Sequence, residues 1–228
     1  MGLILNLESA TNVCSVALAM DGELLHSKED FKGPSHASNI NLFIQQVMSK
    51  SNYRIEELDA VAISSGPGSY TGLRIGLSTA KGLCYSCNVP LIAIPTLKAL
   101  AYGLIKKNNL DIDLFLTCLD NRREEVIYSI YDYNLNAHSS MLVHELNSES
   151  FQNLYIKNKI LIGGTGALKT KKYLNHKNVC WDMELMADAR NMCHLSEKKF
   201  AKDQFEDLAY FEPTYGKEFY DNRRHLSS

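Results

Sequence analysis

The order of the secondary-structure elements constrains the fold of this chain more than any single motif does. Apolar residues alternate over three short segments at the start of the chain, which predicts three strands, and Asp21-Gly22 predicts a tight hairpin between the second and third. The apolar period then changes to that of a helix. From there strands and helices alternate, so the first half has the predicted order βββαβαβα, an α/β arrangement.

The second half repeats the opening order of the first, with three strands, a helix, a strand and a helix. No residue-by-residue repeat is visible, so the duplication is inferred from element order alone. We expect an N-terminal lobe at residues 1–110 and a smaller, divergent C-terminal lobe at residues 111–228. Two half-domains that face each other create a cleft between them.

The predicted bounds follow from apolar periodicity and turn residues. In the first half, strands are predicted at 3–7, 13–20, 23–31, 60–64 and 89–94, and helices at about 38–51, 70–87 and 95–107. In the second half, strands are predicted at 114–119, 124–132, 137–145 and 159–162. Helices are predicted at about 148–155 and at about 183–202, and a short helix between them is predicted to end near residue 174.

Composition excludes several classes of protein. Lys and Arg number 24 against 26 Asp and Glu, so the net charge of −2 provides no overall positive field for a nucleic-acid backbone. The apolar runs are far shorter than the roughly 20 residues of a membrane span, and the start of the chain lacks a basic signal-peptide region. No two histidines are three or four residues apart, which excludes a helical metalloprotease motif and predicts no metal site. We expect a cytoplasmic protein with no membrane partner.

The segment Gly66–Gly72 joins a buried strand to a long helix. Glycines at such a junction let backbone N–H groups approach a phosphate, but they also make a sharp turn on their own. The spacing matches neither the dinucleotide-binding fingerprint nor the P-loop. Both interpretations stay open on the residues alone.

Two further polar turns follow predicted strands and have the residue types of phosphate-binding turns. Each is equally typical of an ordinary tight turn. The candidates for vestigial nucleotide binding are Glu8, Ser9, Thr11, Asn12, Gly163 and Gly164.

The predicted helix at 70–87 contains Gly72, Gly76 and Gly82, each of which costs about 1 kcal/mol of helix stability relative to alanine. Close packing against another backbone would offset that cost. Helix periodicity shows that one face of the helix is buried, but it does not show whether the chain's own sheet or a partner protein covers that face.

The segment from Ile63 to Gly76, followed by Ala80-Lys81-Gly82-Leu83, resembles the TsaB (YeaZ) family. Residues 4–18 and the pair Ser35-His36 are similar to that family as well. The resemblance implies an actin-like fold of the acetate kinase/Hsp70 type, with duplicated βββαβα lobes of which the second is smaller and degenerate.

The resemblance also implies a function. The family is the non-catalytic partner that dimerises with TsaD, which transfers threonylcarbamoyl to the tRNA adenosine next to the anticodon. TsaE, a small ATPase, joins the assembly, a homodimer forms when TsaD is absent, and tRNA is met only through the complex. No cofactor is implied, and weak or vestigial ATP or ADP binding stays open. His36 has Ile40 four residues later, so the metal-binding histidine pair of TsaD is missing here.

In this family the first two helices build the dimer surface. Carried onto this sequence, the predicted interface residues are Asn39, Leu42, Phe43, Gln46, Tyr70, Leu73, Arg74 and Leu77.

Two other functions are alternatives. An actin-like ATPase or phosphotransferase would hold nucleotide in the inter-lobe cleft and would require carboxylates for Mg²⁺, for which Asp120 is the remaining candidate near a strand end. A direct tRNA-binding module would use the basic clusters Asn121-Arg122-Arg123 and Arg223-Arg224, and the net charge of −2 argues against it.

Overall fold

The computed structural model describes residues 2–31 and 36–216, with side chains from residue 39 onward in the second range. The first half contains β1 (Leu3–Glu8), β2 (Cys14–Met20), β3 (Glu23–Asp30), α1 (His36–Ser51), β4 (Ala60–Ser64), α2 (Tyr70–Cys87), β5 (Leu91–Ile94) and α3 (Thr96–Lys107). The second half contains β6 (Leu114–Asp120), β7 (Glu125–Tyr131), β8 (Leu142–Glu145), α4 (Gln152–Tyr155), β9 (Ile160–Gly163), α5 (Ala167–Thr170), β10 (Val179–Asp182) and α6 (Cys193–Phe200).

The two halves form five-stranded sheets of the same topology. The strand orders are β3-β2-β1-β4-β5 and β8-β7-β6-β9-β10. In each sheet the central strand pairs antiparallel with the following strand and parallel with the strand after the first helix. The predicted duplicated α/β fold is confirmed, because hairpins and helical crossovers at matching places impose the same strand order.

The helix α1 shows how the sequence positions the first lobe. Its apolar residues Ile40, Phe43, Ile44 and Val47, spaced as predicted for one helix face, are buried against the sheet. The opposite side of the helix faces solvent. The remaining helices of the first half also lie within a residue or two of their predicted bounds.

The second half differs from its prediction in several elements, and the helix predicted at about 148–155 is present only as Gln152–Tyr155. The strand predicted at 137–145 is present only as Leu142–Glu145, and β10 was missed because it has four residues of which only Val179 is buried. The helix predicted at 183–202 is wrong in length: α6 begins at Cys193. Asp188, in extended conformation, accepts a hydrogen bond from the N–H of Arg190 and starts a short 3₁₀ turn instead.

Two helices pack across the boundary between the halves. The first-half helix α3 packs Leu97, Leu100 and Leu104 against apolar residues of the second sheet. Conversely, α6 packs against strands of the first sheet, where Leu195 joins the core beside β1, β4 and β5. The lobe boundary near residue 110 stays a prediction, but neither sheet is covered by its own half alone.

A buried polar contact pins α6 to β1. Asn6 lies in the middle of the central strand with no solvent exposure, and the Ser196 hydroxyl donates a 2.7 Å hydrogen bond to its amide oxygen. The Asn6 amide nitrogen donates to the Ile4 carbonyl at 3.2 Å. Nearby, the N–H of Ala189 donates to the Ser15 hydroxyl at 2.9 Å.

The substitution Ser196→Ala is expected to lower the free energy of unfolding by about 1–3 kcal/mol, because it leaves the buried amide oxygen of Asn6 without its donor. Urea denaturation measures this change. The control is Ser49→Ala on the exposed side of α1, which should change stability by less than about 0.5 kcal/mol. Equal effects of the two variants would contradict the assignment.

Candidate functional site

Close approach of the chain to itself explains the glycines before α2. Gly66 has φ of +95°, and a Cβ there would lie 2.2 Å from the carbonyl oxygen of Thr214. A Cβ on Gly68 would lie 2.2 Å from the carbonyl oxygen of Ala10, to which the N–H of Ser69 donates at 2.6 Å. The sharp-turn interpretation of this segment therefore has a physical reason that needs no phosphate.

The glycines of α2 divide between two environments. A Cβ on Gly76 would lie 2.1 Å from the Ser9 hydroxyl, so this face of the helix packs on the turn after β1. A Cβ on Gly82 would meet nothing within 4 Å, and Gly82 is exposed. The chain's own side chains, those of Ser9 and Ile63, thus account for Gly76, and Gly82 lies on an exposed surface.

Three predicted interface residues belong to the core instead of the surface. Leu73 is 0% exposed, Leu77 8% and Phe43 5%, since all three lie on the helix faces turned toward the sheet. All three side chains are buried within the folded chain itself, and their part in an interface stays a prediction. The sequence did not distinguish these two possibilities, because helix periodicity indicates that a side chain is buried but not whether its own sheet or a partner covers it.

The other five predicted interface residues lie at or near the surface. Leu42 is exposed on α1, and Gln46 is half-buried. Asn39 is half-buried and its amide donates to the Asp30 carboxylate at 2.9 Å. Tyr70 and Arg74 are exposed on α2. That these residues form an interface stays a prediction.

A segment near the end of the described chain runs along one side of α2. We call residues 207–216 the strap. Its Ala209 carbonyl accepts a 3.1 Å hydrogen bond from the Lys81 ammonium, and the N–H of Thr214 donates to the Ser65 carbonyl at 2.8 Å. The apolar residues Leu208 and Phe211 anchor the strap on the first core.

The strap engages two of the predicted interface residues. The ring of Tyr215 lies 4.9 Å from that of Tyr70, and its hydroxyl accepts a 3.3 Å hydrogen bond from Arg74 Nε. The Arg74 guanidinium in turn lies 4.0 Å above the Tyr70 ring. Sequence analysis missed the strap, although Leu208 and Phe211 in an otherwise polar tail were a signal for it.

On its other side α2 borders a groove with α1. The groove has a volume of about 510 Å³, and Ile44, Met48 and Leu83 contribute its apolar lining. The stripe of α2 between the groove and the strap faces solvent. We call the exposed residues on top of the two helices the docking face: Leu42, Gln45, Thr71, Ser78, Gly82 and Tyr85.

A second concave site lies between the lobes. This cleft has a volume of about 360 Å³, and its walls come from the turn after β1, the turn before α2, the end of β6 and the turn after β9. Its lining residues are Ala10, Thr11, Asn12, Gly68, Ser69, Leu119, Asp120, Asn121, Ile127 and Thr165.

The cleft contains only part of the predicted nucleotide set. Thr11 and Asn12 line it, whereas Gly163 and Gly164 do not and Thr165 takes their place. At Gly164 φ is +103°, and a Cβ would lie 2.3 Å from the Cys118 carbonyl oxygen, so this glycine also serves the packing of a turn.

Glu8, at the end of β1, is wholly buried beneath the cleft. Burial raises the pKa of its carboxyl to about 7, although hydrogen bonds from Ala10 and Ser64 oppose the shift and the charge of Asp188 adds to it. One carboxyl oxygen accepts from the N–H of Ala10 at 2.6 Å. The other oxygen, like the hydroxyl of Ser9, has no hydrogen-bond partner among the described residues.

Asp120 is the last residue of β6, as Glu8 is the last residue of β1, and its side chain is already paired. The ammonium of Lys169, just after the β9 turn, forms a salt bridge with it. Within residues 2–31 and 36–216, no group of three or more His, Cys, Asp or Glu could hold a metal ion. In the same ranges, no helix is long and apolar enough to cross a membrane.

The first of the predicted basic clusters, Asn121-Arg122-Arg123, lies at the rim of the cleft, which Asn121 lines. Arg122 and Arg123 are exposed in the turn between β6 and β7, where Arg123 has φ of +56°. The other predicted cluster, Arg223-Arg224, is outside the described residues, and so is the side chain of His36.

The substitution Glu8→Gln is expected to change the pH dependence of stability. Because the pKa in the folded state is about 7 against 4.5 normally, the folded chain binds the extra proton and loses stability as pH rises between these values. Glutamine does not titrate, so the variant should gain about 3 kcal/mol relative to wild type between pH 4.5 and pH 8. Urea denaturation across that range measures it. Glu56→Gln on the surface controls for the lost charge, and a pH-independent difference for Glu8→Gln would contradict the assignment.

A family model supports the resemblance seen in the sequence. The model of TsaD, described as tRNA N6-adenosine threonylcarbamoyltransferase, matches residues 31–203. Among solved structures, one described as YeaZ from Pseudomonas aeruginosa matches with a TM-score of 0.81 and 22% identity, covering 94% of this chain and 100% of that one. The activator of 2-hydroxyisocaproyl-CoA dehydratase from Clostridium difficile, solved with ADPNP, matches with a TM-score of 0.51 at 9% identity, covering 91% and 99%. At these identities the two structures show the fold.

Curated relatives narrow the family. The tRNA threonylcarbamoyladenosine biosynthesis protein TsaB of Escherichia coli is 33% identical over 133 residues, which cover 58% of this chain and 56% of that protein. The protein of the same name from Haemophilus influenzae is 32% identical over 126 residues, covering 55% and 52%. The matches thus span about half the length of these two relatives. Because the TsaD model matches residues 31–203, well over half of the chain, the chain belongs to that family, and the curated relatives that it resembles within it are TsaB proteins.

Proposed function

We propose that this chain is a non-catalytic subunit that binds a TsaD-type transferase and supports threonylcarbamoyl transfer to the tRNA adenosine next to the anticodon. The names of its relatives support the pathway. The observation that supports a non-catalytic role is the environment of two carboxyl groups, those of Glu8 at the end of β1 and Asp120 at the end of β6. The first is sealed beneath the cleft, and the second is neutralised by Lys169.

The alternative function, a phosphotransferase, would require the carboxyl groups of Glu8 and Asp120 to be charged and accessible to Mg²⁺. Phosphoryl transfer by this kind of site depends on carboxylates that hold Mg²⁺ against the phosphates. The Glu8 carboxyl has no solvent exposure and does not line the cleft, and burial raises its pKa to about 7, which disfavours the charged form that Mg²⁺ requires. We therefore assign the cleft no chemistry of its own and propose no cofactor, with weak ATP or ADP binding left as an outcome to be measured.

The docking face is the surface we assign to the partner. It combines an exposed leucine on α1 with small side chains on α2, which let another helix approach closely. The strap forms one border of this surface, and Tyr70 and Arg74 are held there by Tyr215. When TsaD is absent, the same face is proposed to pair with a second copy, which requires it to be self-complementary.

The remaining partners follow from the family. We propose that TsaE joins the TsaD-bound form and that tRNA is met only through the complex. The net charge of −2 supports this indirect contact, because a chain without positive excess gains little from releasing counterions of RNA.

The substitution Leu42→Asp is expected to weaken binding to the TsaD of the same organism at least about tenfold, because it places a charge in an apolar contact. Isothermal titration calorimetry and light scattering measure this loss for the heterodimer, and light scattering alone measures it for the homodimer. Ser78→Arg should act in the same way by blocking close approach to α2.

The matched control is Leu168→Asp, since Leu168 is 68% exposed on α5 and Leu42 is 46% exposed on α1. It should bind TsaD as wild type does. Wild-type binding by both docking-face variants would refute the assigned surface. Leu73→Asp is unsuitable for this experiment because it would disrupt the core.

The chain alone is expected to release no phosphate from ATP in the presence of Mg²⁺. A coupled ADP assay over wild type, Asp120→Asn and Asp111→Asn tests this, since Asp111 is a surface carboxylate that pairs with Lys159. Hydrolysis that disappears in Asp120→Asn and persists in Asp111→Asn would establish the phosphotransferase alternative.

A further inference from the structure

The ammonium group of Lys169 sits in a cage of oxygen atoms at the rim of the cleft. It donates to the carbonyl oxygens of Asn121 at 2.7 Å, Arg123 at 2.6 Å and Glu125 at 3.2 Å. The carboxylate of Asp120 is its fourth partner. The Lys169 side chain is only 13% exposed, so these oxygens replace most of its water.

The fold of the β6–β7 turn makes these oxygens converge. The N–H of Asn121 donates to the Glu125 carbonyl at 3.1 Å, which closes the turn, and Arg123 takes a left-handed φ of +56°. Three backbone carbonyls therefore point toward one place beside a carboxylate. Without a cation there, their partial negative charges would repel one another and the charge of Asp120.

The number of partners exceeds that of a simple ion pair. An ammonium has three protons to donate, and four oxygen atoms surround this one. Backbone carbonyls combined with a carboxylate are also the ligand set that proteins use for free cations such as Ca²⁺. An exposed lysine–aspartate pair would involve no such convergence and would contribute little to stability.

We propose that Lys169 is a tethered cation: its ammonium fills an oxygen cage in place of a free ion and positions the second wall of the cleft. The ligand class that fits this cage is a primary ammonium group. Asp120 and Asn121 both line the cleft, so the orientation of that wall depends on the cage remaining filled. The proposal rests on these contacts alone and stands whether or not the chain binds TsaD.

Chemical rescue distinguishes this role from ordinary side-chain packing. Lys169→Ala removes three methylene groups and the ammonium, which together correspond to propylammonium. We expect the variant to lose at least about 4 °C in Tm, and propylammonium chloride to restore at least half of that loss. Tetramethylammonium chloride at the same concentration has no N–H group and should restore nothing.

Lys172→Ala is the matched control, because Lys172 is an exposed lysine on the turn that follows α5. Its Tm, like that of wild type, should respond equally to the two salts. Equal responses of Lys169→Ala to both salts, or a Tm equal to that of wild type, would overturn the proposal.

Two further measurements keep the test decisive if Lys169→Ala does not fold. Lys169→Met keeps the apolar stem and removes only the ammonium, and it should show a similar fall in Tm. In the wild-type protein, reductive methylation should modify Lys172 at least about tenfold faster than Lys169. Equal modification rates would show that the ammonium is not caged and would overturn the proposal.

Discussion

The exchange of helices between the two halves is the constraint on which the rest of the structure depends. A sheet with one uncovered apolar face is not stable in water. Here α3 from the first half covers the second sheet, and α6 from the second half covers the first. The buried hydrogen bond from Ser196 to Asn6 sets the position of α6 on the central strand. The cleft walls are therefore held by the same contacts that complete the two cores.

The carboxylates that end the two central strands lie in unlike environments. Glu8 and Asp120 end the central strands of the two sheets, yet one is buried with a raised pKa and the other is exposed enough to meet a lysine. Each lobe has thus neutralised its carboxylate by a different physical route, desolvation in the first and ion pairing in the second. A cleft inherited from the fold can in this way persist as a shape while lacking charged oxygens for a metal ion.

Much of the fold was predictable because it depends on local signals. Apolar periodicity marked α1 and its buried face, and turn residues marked the first hairpin. The misses depend on distant contacts: β10 has only four residues, of which only Val179 is buried, and the chain before α6 is shaped by the cap at Asp188. At the site, the family resemblance pointed to α1 and α2, and the structure adds that Leu73, Leu77 and Phe43 on these helices are buried.

The strap has a consequence for how the protein is made. A ribosome synthesises the first sheet before α6 and residues 207–216, which cover that sheet and flank α2 and follow both sheets in the chain. Until they emerge, the apolar face beside β1 and β5 has no permanent cover, so the first lobe does not complete its folding while the nascent chain is still short. Assembly on the proposed docking face would therefore wait until residues 207–216 have been translated.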